Sequence, residues 1–178
     1  MRGSALRWKG RGRVPLAVTL PLDPAAAARV ERMREAFGLP EPDYPPHLTL
    51  AVLPDEAERE AVEAAVFGVA AGWNVLPLVL AGIGMFPGEA PVIWVTPAPS
   101  ERLLAMHAEL LAALAAFEIH PHYRVEVWVP HVTLGRGEMP ARAASAWDGP
   151  IEALLERVGL VAFPPARVLR GESLRRAP

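Results

Sequence analysis

The chain carries nearly the same five residues twice, as Pro46-His47-Leu48-Thr49-Leu50 and Pro130-His131-Val132-Thr133-Leu134. Alternate side chains of a β-strand share a face, so in each phrase the His and Thr stand on one side and the apolar residues on the other. His47 and Thr49 are then about 6.6 Å apart, from a rise of about 3.3 Å per residue. The apolar side anchors the strand in a core, and the other side offers an imidazole and a hydroxyl. Two such strands facing each other make a cleft with two imidazoles and two hydroxyls. A lone His-x-Thr on a strand carries little meaning. Two copies, each preceded by Pro and flanked by apolar residues, point to a shared catalytic cleft, against the alternative of two purely structural strand ends.

The groups themselves suggest chemistry at phosphorus. A neutral imidazole takes a proton from water or a hydroxyl, and a protonated one gives a proton to a leaving oxygen. Threonine hydroxyls donate to non-bridging phosphate oxygens. Neither phrase has a nearby carboxylate to complete a metal site, so neither metal nor cofactor is expected. The chain contains no cysteine, which removes disulfides, thiolate zinc sites and a cysteine nucleophile.

The 178 residues favour one domain, expected over 14–174. The net charge is −2, but Arg2, Arg7, Lys9, Arg11 and Arg13 make a basic N-terminal tail, assigned to 1–12, and Arg167, Arg170, Arg175 and Arg176 make a basic end. The body between them is acidic, which suits a small or terminal phosphate better than a long nucleic-acid groove. The start does not read as a signal peptide. The uncharged run 64–86 is broken by Gly68, Gly72, Pro77, Gly82 and Gly84, which fits a helix end, a turn and a strand better than a membrane span. A cytoplasmic protein without membrane contact is expected, and a monomer.

Along the chain, 13–20 reads as a strand. Asp23 caps a helix with Pro24 at its first position, and that helix ends at Gly38. The first motif strand is 47–53, and Pro54-Asp55 opens a second helix. Strands at 73–83 and 91–96 flank a turn at 84–88, and Ser100 caps a helix through 117. Loop with a short helix fills 135–150, and 154–163 and 167–174 read as a closing pair of strands. The fold class is therefore α+β, with two similar halves.

The two His-hydrophobic-Thr-hydrophobic motifs, His47-Leu48-Thr49-Leu50 and His131-Val132-Thr133-Leu134, resemble those of the 2H phosphoesterase superfamily. The chain is most similar to its 2′-5′ RNA ligase-like, RNA 2′,3′-cyclic phosphodiesterase branch. Arg136 matches an arginine often found just after the second motif. The resemblance implies a bilobal fold, two pseudo-symmetric antiparallel-sheet and helix lobes around a central cleft. It implies metal-independent opening of 2′,3′-cyclic phosphates, on RNA 3′ ends or small cyclic nucleotides, to 2′-phosphates, with reverse 2′-5′ ligation through the same residues. By analogy His47 is the acid and His131 the base, or the reverse, while Thr49, Thr133 and Arg136 hold the phosphate. The start of the chain and Asp43-Tyr44-Pro45-Pro46 depart from the family's usual forms, which bears on substrate choice.

A non-catalytic RNA-end or nucleotide-binding module is the competing reading. Tyr44, Phe86 and Trp128 are candidates either for stacking a base or for the core. Trp73 and Trp94 read as core, His107 as a packed helix histidine, and His120-Pro121-His122 as an exposed loop.

Overall fold

The computed structural model describes residues 14–40, 43–54, 59–138 and 147–176. The basic N-terminal tail, the start of the second helix at 55–58, and most of the short helix expected within 135–150 lie outside them. Eight strands form one sheet: β1 (Leu16–Pro21), β2 (His47–Leu53), β3 (Leu76–Phe86), β4 (Val92–Pro97), β5 (Val132–Arg136), β6 (Ile151–Leu155), β7 (Arg157–Ala162) and β8 (Arg167–Ser173). The helices are α1 (Pro24–Phe37), α2 (Arg59–Ala70) and α3 (Glu101–Ala113).

The strand order is β6-β3-β4-β5-β2-β1-β7-β8, and every neighbouring pair is antiparallel. The expected two halves are therefore two runs of four strands within one sheet. Counted outward from the middle, β5-β4-β3-β6 mirrors β2-β1-β7-β8. They meet at β2 and β5, where a single registered pair, Leu48↔Val132, joins them. The two motif strands are thus sheet neighbours, side by side rather than facing across a gap.

Local sequence explains the helices that frame this seam. Asp23 accepts from the amides of Ala25 and Ala26 at 2.9 and 3.1 Å, Pro24 starts α1, and Gly38 ends it at φ 68°, a conformation glycine adopts without penalty. Val30, Met33 and Phe37 recur at helical spacing and are buried. Ser100 accepts from the Leu103 amide at 3.2 Å, and Leu103, Met106 and Leu110 of α3 are buried likewise. Two of the three helices cross over: α1 follows β1 yet packs on β5 and β6, and α3 follows β4 yet packs on β2. The apolar motif residues Leu48, Leu50, Val132 and Leu134 join both helices in one core.

Three expectations change. β3 runs through the expected turn as far as Phe86, because Gly82, Gly84 and Phe86 stay in register with Thr96, Trp94 and Val92. The expected strand 154–163 is two strands broken at Glu156: β6 pairs with β3 and β7 with β1, so one residue carries the chain between halves. The closing pair β7–β8 forms as expected. Helix α3 stops at Ala113, short of Phe117, and turns follow. Among the described residues, no helix is long and apolar enough to cross a membrane.

Candidate active site

The seam register decides the site. With Leu48 opposite Val132 on the core side, one step along the antiparallel ladder places Thr49 beside His131 and His47 beside Thr133, all on the other face. The imidazoles and hydroxyls therefore alternate across the seam.

Both imidazoles are fixed by the same local device. His47 Nδ1 donates to the Pro45 carbonyl at 2.7 Å, and His131 Nδ1 donates to the Val129 carbonyl at 2.7 Å, each two residues back. A carbonyl only accepts, so Nδ1 carries the hydrogen and the neutral ring leaves Nε2 bare to take a proton. Desolvation is the main cause that pushes the His47 pKa down to about 4. The Pro45 hydrogen bond opposes this, while Arg34 and His131 push further down. Desolvation also holds His131 below the ordinary histidine range, against the Val129 hydrogen bond.

Aromatic rings wall each imidazole. The Tyr44 ring meets His47 edge-on, with centroids 4.7 Å apart, and its hydroxyl lies 3.3 Å from Thr19 Oγ1. Phe86 and Trp94 stand 5.0 and 6.1 Å from His131. Trp94, expected in the core, is half-buried at the wall of the site. Trp128, a stacking candidate, is instead buried beneath the sheet and stacks on His107 at 3.9 Å. His107 is packed as expected. His120 is buried, in contrast to the exposed loop expected of 120–122.

Trp94 fits only because its partner on β3 is Gly84. A Cβ there would lie 2.1, 2.3 and 2.6 Å from three indole ring atoms. The indole Nε1 is buried with no hydrogen-bond partner among the described residues, a cost of about 1–3 kcal/mol at the site wall. Gly84→Ala should displace the indole and destabilise the fold by about 1–3 kcal/mol. Gly88→Ala, with open space around it, should be near neutral. Urea unfolding with tryptophan fluorescence compares the two, and equal midpoints would refute this packing.

Arg136 lies three residues after Thr133, a spacing that in a regular strand puts two side chains on opposite faces. The β4–β5 ladder slips here: Trp94 pairs with Thr133, but Val92 pairs with Arg136, leaving an extra residue on β5. Trp94 and Val92 are two apart and share a face, so Thr133 and Arg136 share it too. The exposed Arg136 thus stands on the side of the four motif residues. The same slip follows the first motif, between Val18 and Thr19 of β1, but it turns up the buried Val52, so the cation is on one side only.

Two residues near the site escaped sequence reading. The Tyr123 phenol hydrogen-bonds to Thr49, and burial pushes its pKa up to about 12. Arg34 of α1, buried, donates through Nε to the Leu134 carbonyl at 2.9 Å and through Nη2 to the Thr133 carbonyl at 2.7 Å. Nothing local marks either one, since their partners lie on the opposite half. Among the described residues, no three His, Cys, Asp or Glu side chains form a group able to hold a metal ion.

A two-half antiparallel sheet with a His-x-Thr strand from each half at its seam defines a fold class, and the comparisons agree. The sequence model of the 2′-5′ RNA ligase superfamily matches residues 21–166, and the chain belongs to that superfamily. No curated protein matches it by sequence. Among solved structures, the protein TT0787 of Thermus thermophilus is similar at 25% identity and a TM-score of 0.67, covering 91% of this chain and 98% of that one. E. coli LigT, solved with 3′-AMP, is similar at 20% identity and a TM-score of 0.65, covering 92% and 99%. The same E. coli protein has been solved with phosphate, ATP and NADP+.

Proposed function

We propose that this chain is a 2′,3′-cyclic phosphodiesterase that opens cyclic phosphates on RNA 3′ ends or small nucleotides to 2′-phosphates, with His47 and His131 as the acid–base pair. The carrying observation is the seam, which sets two imidazoles with bare Nε2 atoms beside two threonine hydroxyls and an arginine. The nucleotides and phosphate held by E. coli LigT support a nucleotide phosphate as the ligand class.

In the proposed step, one neutral imidazole takes a proton from water as the water oxygen bonds to phosphorus. The bond from phosphorus to O3′ breaks, and the other imidazole, protonated, gives its proton to O3′. Thr49 and Thr133 donate to the non-bridging oxygens, and Arg136 balances their charge. With His47 as acid and His131 as base, the pair ends with its proton exchanged, and solvent resets it. The same step with the 5′-hydroxyl of a second RNA in place of water joins that oxygen to the cyclic phosphorus, breaks the bond to O3′, and leaves a 2′-5′ linkage beside a free 3′-hydroxyl. The test is turnover of a 2′,3′-cyclic mononucleotide and of a short RNA ending in a cyclic phosphate, with EDTA present. Ring opening supports the reading, whereas tight binding without turnover favours the binding module.

The pH dependence follows from the lowered imidazoles. The base must be neutral and the acid protonated, and both groups titrate below 6.5 in the free protein. Above the acid's pKa its protonated fraction falls tenfold per pH unit. The kcat/KM profile should therefore be bell-shaped, peak on the acid side of 6.5 and decline toward pH 8. The kcat profile should lie at higher pH, because bound cyclic phosphate is an anion that favours the imidazolium. A kcat/KM maximum at or above pH 8 would contradict the assignment.

A further inference from the structure

Both motif strands carry a β-bulge at the same place, the residue after the threonine. On β1 and β2, Val18 pairs with Ala51 and Thr19 with Thr49, leaving Leu50 extra. On β4 and β5, Ile93 pairs with Gly135 and Trp94 with Thr133, leaving Leu134 extra. A bulge disrupts the ladder and leaves backbone groups to be satisfied elsewhere. In both motifs a side chain from beneath the sheet takes the threonine carbonyl, and in the second it takes that of the bulged leucine as well. In the second motif Arg34 takes both, at 2.7 and 2.9 Å. In the first motif Trp128 Nε1 donates to the Thr49 carbonyl at 3.1 Å and its indole stacks on His107, whose Nε2 donates to the Tyr123 carbonyl at 3.0 Å.

These side chains come from the opposite half. Arg34 belongs to the helix following β1 and holds β5, while Trp128 lies between the helix following β4 and β5 and holds β2. The two motif strands themselves share one registered pair. We propose that Arg34 is a positioning residue that locks the β5 bulge, turns Arg136 onto the face of Thr133, and couples the two motifs across the seam, with Trp128 holding the threonine carbonyl of β2 from the other side.

The fork geometry matters. A guanidinium reaches two successive carbonyls with two N–H groups at fixed separation, and an ammonium is a single point of charge. Loss of the fork lets the bulge relax, which displaces Thr133 and Arg136, and displacements of about 1 Å cost roughly 10²-fold in rate. The effect should fall on kcat more than on KM. Arg34 also faces the seam electrostatically, where its charge and that of His131 lower the His47 proton affinity while Asp43 raises it.

This inference rests on the proposed activity, so its test carries a second readout that does not. Arg34→Lys and Arg34→Met are compared with wild type for kcat and KM on a 2′,3′-cyclic nucleotide. The His47 and His131 titrations are followed by NMR, and melting temperature is recorded. Arg34→Lys should lower kcat about 10-fold and Arg34→Met about 100-fold, with KM within about threefold. In Arg34→Met the His47 titration should also move to higher pH. If Arg34→Met does not fold, Arg34→Lys and Arg34→Gln carry the comparison. Lowered melting temperature with kcat within twofold of wild type and unmoved imidazole titrations would reduce Arg34 to a structural role and overturn the proposal. If wild type turns over no cyclic phosphate, the activity reading fails by itself, and the positioning role is decided by the imidazole titrations, which should move in Arg34→Met.

Discussion

His47→Ala and His131→Ala should each lower kcat on a 2′,3′-cyclic nucleotide by roughly 10²–10⁴-fold, the range for loss of a positioned acid or base. Both rings are half-buried at the sheet surface, so truncation leaves the core leucines on the other side of each strand in place. The double variant should be little worse than the poorer single one, because groups acting in one proton relay are not additive. Each single variant should also lose one limb of the kcat/KM profile. Loss of the basic limb in His47→Ala identifies His47 as the acid, and loss of the acidic limb makes it the base. A rate within tenfold of wild type in either variant would remove the acid–base pair from the account.

Thr49→Val and Thr133→Val should each cost about 10²–10³-fold in kcat, the loss seen when one donor to a developing oxyanion is removed. Valine keeps the β-branched shape that a strand favours, so the change removes a hydroxyl and little else. The two hydroxyls are not held alike. Thr49 is tied to the Tyr123 phenol, so Tyr123→Phe should loosen that donor and give a smaller loss with an unchanged pH profile. Rates unaffected by either valine would leave the imidazoles without phosphate donors beside them and would break the proposed transition-state arrangement.

The geometry of the candidate site was largely legible because its parts are local and repeated. Pro-His-x-Thr places a histidine two residues after a carbonyl and a threonine two residues after the histidine, and strand alternation does the rest. Asp23, Pro24 and Gly38 marked the ends of α1 as firmly. What escaped reading depends on the partner half. Arg34 looks like one surface arginine among several in an Arg- and Glu-rich helix, and becomes a buried anchor only because α1 crosses to β5. Trp94 read as core because aromatic strand residues usually are, and the signal that corrects this is Gly84, a bare position on the neighbouring strand. The break at Glu156 is equally invisible, since apolar alternation runs through both strands while their pairing partners differ. The bulges matter most. A strict period of two assigns Arg136 to the wrong face, and only the ladder register moves it beside Thr133.

The most direct measurement follows the phosphorus. A 2′,3′-cyclic nucleotide is incubated with the wild-type protein in EDTA, and the product is identified by ³¹P NMR against authentic 2′- and 3′-monophosphates. The account predicts a single product, the 2′-phosphate, because the fixed acid serves only O3′. A 3′-phosphate, a mixture of isomers, or unchanged cyclic nucleotide would contradict it.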